Sequence, residues 1–161
     1  MQTNINRKGA VGALLDIYEQ SISDLVKVIE DIPDGALTII IDAKSKDENC
    51  KSLQAILSHV VHSGYGYAAS IHNFKGNNIQ RPGKTFRPTI KEYAEDLANV
   101  FDYTQNIFNE IEDDELEQLD NSLKIQTGWG QCYDTEQMME HAIVHILRHN
   151  RQIGKIKKQL H

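Results

Sequence analysis

The chain has 161 residues, about the size of one domain and enough to bury a hydrophobic core. Its composition, with 40% hydrophobic and 25% charged residues, is ordinary for a soluble globular protein. The formal net charge of −6 argues against nucleic-acid and membrane-surface partners, because proteins of both classes present a basic face. We therefore expect a single domain that spans residues 1–161.

Two amphipathic helices are predicted in the N-terminal half. Over about residues 8–32, apolar residues recur at spacings of three and four, which places them on one face of an α-helix. Pro33 and Gly35 end this helix, because proline cannot continue it and glycine favours the exit turn. A second run with the same spacing covers about residues 48–74. Between them, residues 39–41 are a β-prone run of isoleucines that is too isolated to build a sheet.

Two further helices are predicted in the C-terminal half. The third begins after Pro88, where Thr89 and Glu92 have the spacing of a capping box, and its apolar stripe continues to Ile111. The fourth begins near Asp134, a suitable N-cap residue, and continues to about Gln159. Four helices with sustained apolar seams predict an all-α fold, a four-helix bundle.

The connections between these helices differ in length. Residues 76–83 form a polar stretch with turn residues between the second and third helices. The connection from about residue 113 to residue 133 is longer and contains Thr-Gly-Trp-Gly at 127–130. A loop of that length in a compact domain usually has a function or some structure of its own.

Three histidines lie on or beside apolar helix faces. His149 occupies a core position of the fourth helix, where leucine or isoleucine would be expected, and His145 lies at the margin of the same face. His59 lies between Leu57 and Val60 on the strongly apolar second helix. The stripe that places His149 in the core consists of Met139, Ala142, Ile146, His149, Ile153, Ile156 and Leu160.

The spacing of these histidines favours a metal site. Helical residues four apart have side-chain roots roughly 5–6 Å apart, which lets two imidazoles bind one metal ion. A lone histidine in a core is more often hydrogen-bonded and inert, but two such imidazoles and a third on another apolar helix favour a metal. Three ligands leave coordination positions open, as in catalytic metal sites. We predict that His59, His145 and His149 bind one divalent ion, provided that the second and fourth helices are neighbours.

Two other histidines are alternatives. His141 is four residues before His145, so these two form a competing pair, although His141 lies further from the face that carries His149. We place it second, as a residue beside the ligands or on the surface. His62 could replace His59 as the ligand from the second helix, or carry protons beside it.

The cysteines and the N-terminal residues predict a cytoplasmic protein. Cys50 and Cys132 are far apart and belong to no CxxC or CxxH pair, so a reduced intracellular setting is expected. A structural or incidental role is favoured over a catalytic one for both thiols. Residues 1–8 lack the apolar segment of a signal peptide, and no apolar stretch approaches the ~18 residues of a membrane span.

The motifs resemble those of one known family. Ile-Leu-Ser-His at 56–59 followed by aromatic residues, Trp129-Gly130, and His145-x-x-x-His149-Asn-Arg-Gln152 together resemble the DinB/YfiT-like metalloenzymes over most of the chain. The resemblance implies a four-helix bundle with a long crossover connection. It also implies three histidine ligands, which fall here on His59, His145 and His149. Members commonly read His-Arg-Gly-Gln at the end of the motif, whereas this chain reads His-Asn-Arg-Gln, which leaves the ligands unchanged.

The resemblance also implies a chemistry. Some relatives are S-transferases that use low-molecular-weight thiols such as bacillithiol or mycothiol, and a related group includes a maleylpyruvate isomerase. We therefore expect a metal-dependent transferase, often dimeric in this family, which activates a thiol for attack on a small electrophile. Zinc or nickel suits three imidazoles best. The alternatives are metal-dependent hydrolysis, a non-catalytic metal-binding or stress-response module, and a metal-free structural bundle.

For the aromatic residues near the histidines, the sequence gives weaker evidence of a functional role. Tyr65 and Tyr67 could line a pocket, but packing is the favoured interpretation of both. Trp129 in the long loop could close over the open face of the metal. Anchoring the loop to the bundle is an equally good interpretation of Trp129.

Overall fold

The computed structural model of the chain describes residues 7–160. The expectation about a signal peptide therefore falls mostly outside the described residues. Four long helices dominate the structure, which confirms the predicted all-α four-helix bundle. They are α1 (Gly9–Ile29), α2 (Leu53–Phe74), α3 (Ile90–Phe108) and α4 (Thr135–Gln159).

Three helix ends differ from the predictions. The first helix stops at Ile29 rather than at residue 32, because the residue before Pro33 is disfavoured in helical conformation. The second begins at Leu53, where the Ser52 hydroxyl accepts the backbone N–H of Ala55, and residues 48–50 form a separate 3-10 turn. The third ends at Phe108, three residues before the end of its apolar stripe.

The N-terminal cap of α4 forms a complete capping box, whereas that of α3 forms only in part. Asp134 is the N-cap of α4 and forms a complete capping box with Gln137: each side chain accepts the other residue's backbone N–H, at 2.7 and 3.0 Å. At α3, Thr89 accepts the backbone N–H of Glu92 at 3.2 Å. The Glu92 carboxylate accepts the Thr89 hydroxyl at 2.6 Å instead of a backbone amide, so only half of the predicted box forms.

The helices form a ring in which α1 and α2 each contact α3 and α4. Lys157 near the end of α4 donates to the carbonyl of Val28 near the end of α1, so these two helices run parallel. Ser58 and Tyr93 meet near the starts of α2 and α3, and Lys75 reaches the carbonyl of Glu110 at their far ends. Thus α2 and α3 are also parallel.

Parallel neighbours require a connection that returns along the bundle, and residues 75–89 provide it. This crossover segment runs beside α2 in the opposite direction, without helix or strand. Its contacts with α2 are Ile79 with Asn73, Arg81 with the carbonyl of His62, and Arg87 with Gln54. The long crossover implied by the family resemblance is therefore the connection between α2 and α3.

A single hydrophobic cluster contains side chains from all four helices. At its centre, a Cβ on Gly64 would lie 2.6 Å from Val100 Cγ1 and 3.3 Å from Tyr18 Oη. Glycine at this position therefore allows α2 to approach α1 and α3 closely. No helix within residues 7–160 is long and apolar enough to cross a membrane.

The long connection between α3 and α4 has structure of its own. It contains two 3-10 turns, Asp113–Glu115 and Asn121–Leu123, and a short antiparallel ribbon. In the ribbon, β1 (Ile125–Gln126) pairs with β2 (Cys132–Tyr133). Residues 39–41, the predicted β-prone run, are not in a strand.

Candidate metal centre

The three predicted histidines come together between α2 and α4. His59 projects from α2 towards α4 and meets His145 and His149. Further along α2, Tyr67 meets His141, so the two helices run antiparallel. His149 is only 7% exposed, as its place in the apolar stripe predicts. The sequence prediction required α2 and α4 to be neighbours, and the structure confirms that they are in contact.

The Nε2 atoms of the three imidazole rings lie close together. His145 Nε2 lies 3.1 Å from His59 Nε2 and 3.2 Å from His149 Nε2. One nitrogen of each of the three rings lies within 4.8 Å of the other two. We call these three residues, His59 of α2 and His145 and His149 of α4, the histidine cluster.

The histidine cluster fits a divalent metal ion. Imidazole nitrogens that share one metal at about 2.0–2.1 Å in tetrahedral geometry lie roughly 3.3 Å apart, close to the two separations observed. The donor set is three neutral nitrogens, which suits borderline ions such as zinc or nickel. These residues could therefore hold one ion; metal binding itself stays a prediction.

All three imidazoles are held in the neutral form, which a metal ligand requires. Burial and the proximity of His149 lower the pKa of His59 to about 4. Burial and the other two members of the cluster lower the pKa of His145 to about 3. Burial also lowers the pKa of His149, although Gln152 opposes this. At neutral pH each ring therefore has a lone pair available.

Gln152 sets the orientation of His149. Its Oε1 lies 2.7 Å from His149 Nδ1 and can only accept, so Nδ1 carries the proton and Nε2 keeps its lone pair. This is the usual arrangement around a metal-binding histidine. Gln152 belongs to the motif that carries the family resemblance, but sequence reasoning assigned it no role. Its position three residues after His149 was the available signal.

The histidine cluster lies in the wall of a cavity of about 800 Å³. The connection between α1 and α2 also lines this cavity, and Cys50 is one of its lining residues. Sequence reasoning gave Cys50 no place at the site, because it could not position this connection. The charged residues of the lining are Asp42 and Asp47 of the connection and Arg148, Arg151 and Lys155 of α4.

The alternative histidines lie outside the cluster. His141 stacks on the ring of Trp129, with centroids 4.8 Å apart, and contacts Tyr67. His62 is partly exposed, and its carbonyl accepts a hydrogen bond from Arg81. Neither residue belongs to the group that could hold a metal ion within residues 7–160.

The three aromatic residues singled out in the sequence lie at different distances from the histidine cluster. Trp129 is 48% exposed, packs against His141 and Tyr67, and lines a second cavity together with His59, so its contacts are compatible with both predicted roles. Tyr67 also contacts the ring of His145, with centroids 5.6 Å apart. Tyr65 packs against Tyr103 of α3, away from the histidine cluster.

Comparison with known proteins identifies one family. Residues 1–160 match the model of the DinB family. The match includes all four helices and the three histidines of the cluster. No curated protein and no solved structure gives a significant match to the chain.

Proposed function

This chain belongs to the DinB family, and we propose that it is a metal-dependent thiol S-transferase with one divalent ion on His59, His145 and His149. The observation that carries the proposal is the convergence of three neutral imidazole nitrogens in the wall of a cavity. Three protein ligands are the usual number in catalytic zinc sites, whereas structural sites have four.

The residues around the proposed site have distinct tasks. A divalent ion held by the three neutral imidazoles would supply Lewis acidity and would lower the pKa of a bound thiol. Gln152 keeps His149 in the correct tautomer. Tyr67 packs against the ring of His145. His59 lines both the cavity of about 800 Å³ and a second cavity of about 530 Å³ beside the long connection, so substrates could reach the site from either side.

The proposed reaction is a substitution at the electrophile. The thiol gives its proton to solvent, and its sulfur forms a bond to the electrophilic carbon. The bond from that carbon to the leaving group breaks, and the leaving group departs with the electron pair. The cavity of about 800 Å³ has the size of sites that hold small-molecule substrates.

Elemental analysis of the untagged protein tests the metal site. We expect about one ion per chain after incubation with zinc or nickel, because the three ligands are already positioned. His59→Ala, His145→Ala and His149→Ala should each lose most of the ion. His62→Ala is the matched control, since it removes a nearby histidine of α2 that lies outside the cluster.

A turnover assay tests the chemistry separately. The metal-loaded protein is mixed with a panel of low-molecular-weight thiols and small electrophiles, and thioether formation is followed. Turnover that disappears in His149→Ala and remains in His62→Ala supports the transferase. A protein that holds the ion but reacts with no pair in the panel would instead be a metal-binding module, and one that takes up no ion would overturn the whole proposal.

A further inference from the structure

The cavity beside the histidine cluster has one wall of positive charge. Arg148, Arg151 and Lys155 follow one another at spacings of three and four along α4, and all three line the cavity. Their side chains are exposed. This concentration of cations runs against the formal net charge of −6 of the chain. We call these three residues the cationic wall.

The cationic wall has no anionic partner within the described part of the chain. The ion pairs of residues 7–160 do not include Arg148, Arg151 or Lys155. The adjacent Lys157, by contrast, pairs with Asp31 and also donates to a carbonyl of α1. The charge of Lys157 is thus used to hold two helices together, whereas the charges of the cationic wall face the cavity.

Two carboxylates of the connection between α1 and α2 also line the cavity, and both accept hydrogen bonds from their own segment. Asp47 accepts the backbone N–H of Asn49 at 2.9 Å and the thiol of Cys50 at 3.5 Å. Asp42 accepts the backbone N–H of Lys44 at 3.1 Å. These bonds stabilise local turns. The two carboxylates keep their charge, but the lining still has three positive side chains against two negative ones.

We propose that the thiol substrate of this site carries a carboxylate, which the cationic wall binds. The inference rests on the proposed function and deepens it by naming the substrate class. Arg148 and the three histidines line the same cavity, so a short thiol acid could place its sulfur at the histidine cluster and its carboxylate at the guanidinium group. Guanidinium groups bind carboxylates with paired, charge-assisted hydrogen bonds.

Three thiols of similar size test this proposal: 3-mercaptopropionate is anionic, 2-mercaptoethanol is neutral and cysteamine is cationic. Each is titrated into the cobalt-loaded full-length protein, and binding is followed by the visible absorption of cobalt, without any turnover. We expect the double variant R148Q/R151Q to bind 3-mercaptopropionate about tenfold more weakly, since it removes the two guanidinium groups that would pair with the carboxylate. Its affinity for 2-mercaptoethanol should change less than about twofold, because a neutral thiol has no charge for the arginines to bind.

Lys158→Gln is the matched control, because it removes an exposed cation of the same helix that does not line the cavity. It should leave all three affinities unchanged. If R148Q/R151Q weakens the three thiols equally, or none of them, the carboxylate-binding role of the cationic wall is wrong. A protein that takes up no cobalt overturns the proposed function and this inference together, whereas one that takes up cobalt and ignores thiol charge overturns the inference alone.

Discussion

Two consecutive residues of α2, Ser58 and His59, belong to two polar clusters with different properties. Ser58 faces α3, where its hydroxyl lies 2.6 Å from that of Tyr93. The Tyr93 hydroxyl also donates to the carbonyl of Gln54 and accepts the backbone N–H of Arg87. His59 faces α4 and the other two members of the histidine cluster. We call the first group the tyrosine cluster (Ser58, Tyr93, Gln54 and Arg87).

The two clusters differ in whether their hydrogen-bonding groups find partners within the cluster. In the tyrosine cluster every donor meets an acceptor, and both hydroxyl side chains are buried. It fastens the crossover segment to α2 and α3. In the histidine cluster, Gln152 keeps the proton of His149 on Nδ1, so Nε2 of His149 directs a lone pair at His145. A polar cluster with all its hydrogen bonds formed stabilises a fold, whereas a cluster of neutral imidazole nitrogens suits a cation.

The largest effect on stability should come from the tyrosine cluster. Tyr93→Ala removes a fully buried ring and should lower the free energy of unfolding by about 3–5 kcal/mol. Tyr93→Phe keeps the ring but leaves the backbone N–H of Arg87 without its acceptor, and should cost about 1–3 kcal/mol. Urea denaturation of the metal-free protein measures both. The metal content of Tyr93→Phe should equal that of the parent; its loss would mean that the two clusters are coupled.

Removal of the metal with a chelator should lower the melting temperature only of variants whose histidine cluster is intact. Metal binding to the folded state stabilises it by about 2.7 kcal/mol when the free ion is at about 100 times its dissociation constant. A strong chelator should therefore lower the melting temperature of the zinc-loaded parent and of Tyr93→Phe by similar amounts. His149→Ala should show no such shift. An equal shift in His149→Ala would place the stabilising ion elsewhere.

A smaller effect is expected from the residue that orients His149. Gln152→Leu removes the acceptor for His149 Nδ1 and should weaken zinc binding by about 10–100-fold. Gln152→Glu retains an acceptor oxygen and should restore most of the affinity. Competition with a zinc indicator measures both variants. If leucine and glutamate behave alike, the hydrogen bond to His149 has no part in metal binding.

The smallest effect should come from Trp129. Its stacking on His141 is an aromatic contact of about 0.5–1.5 kcal/mol, so Trp129→Ala should lower the free energy of unfolding by about that amount. The affinity for zinc should not change, because Trp129 anchors the long connection outside the histidine cluster. Thermal unfolding and the same zinc competition distinguish the two quantities. A large drop in zinc affinity would show that the anchor also shapes the metal centre.

Errors at the helix ends have a common physical origin. The apolar stripes of α1 and α3 were extended to Ile32 and Ile111, and both residues are indeed buried. They lie beyond the helices because apolar periodicity reports which side chains face the core, not whether the backbone is still helical. The start of α2 was misplaced for a related reason, since the 3-10 turn at residues 48–50 leads directly into it.

The sequence by itself determined the four helices and the pairing of His145 with His149, because both depend on the repeat of a single helix. From the residues alone, His62 and His141 remained alternatives to the ligands, and only the packing of α2 against α4 brought His59 into the cluster. Tertiary structure also decided that α2 and α3 are parallel, and that Cys50 and the cationic wall share one cavity. These features join segments that are far apart in the chain, so no local pattern could specify them.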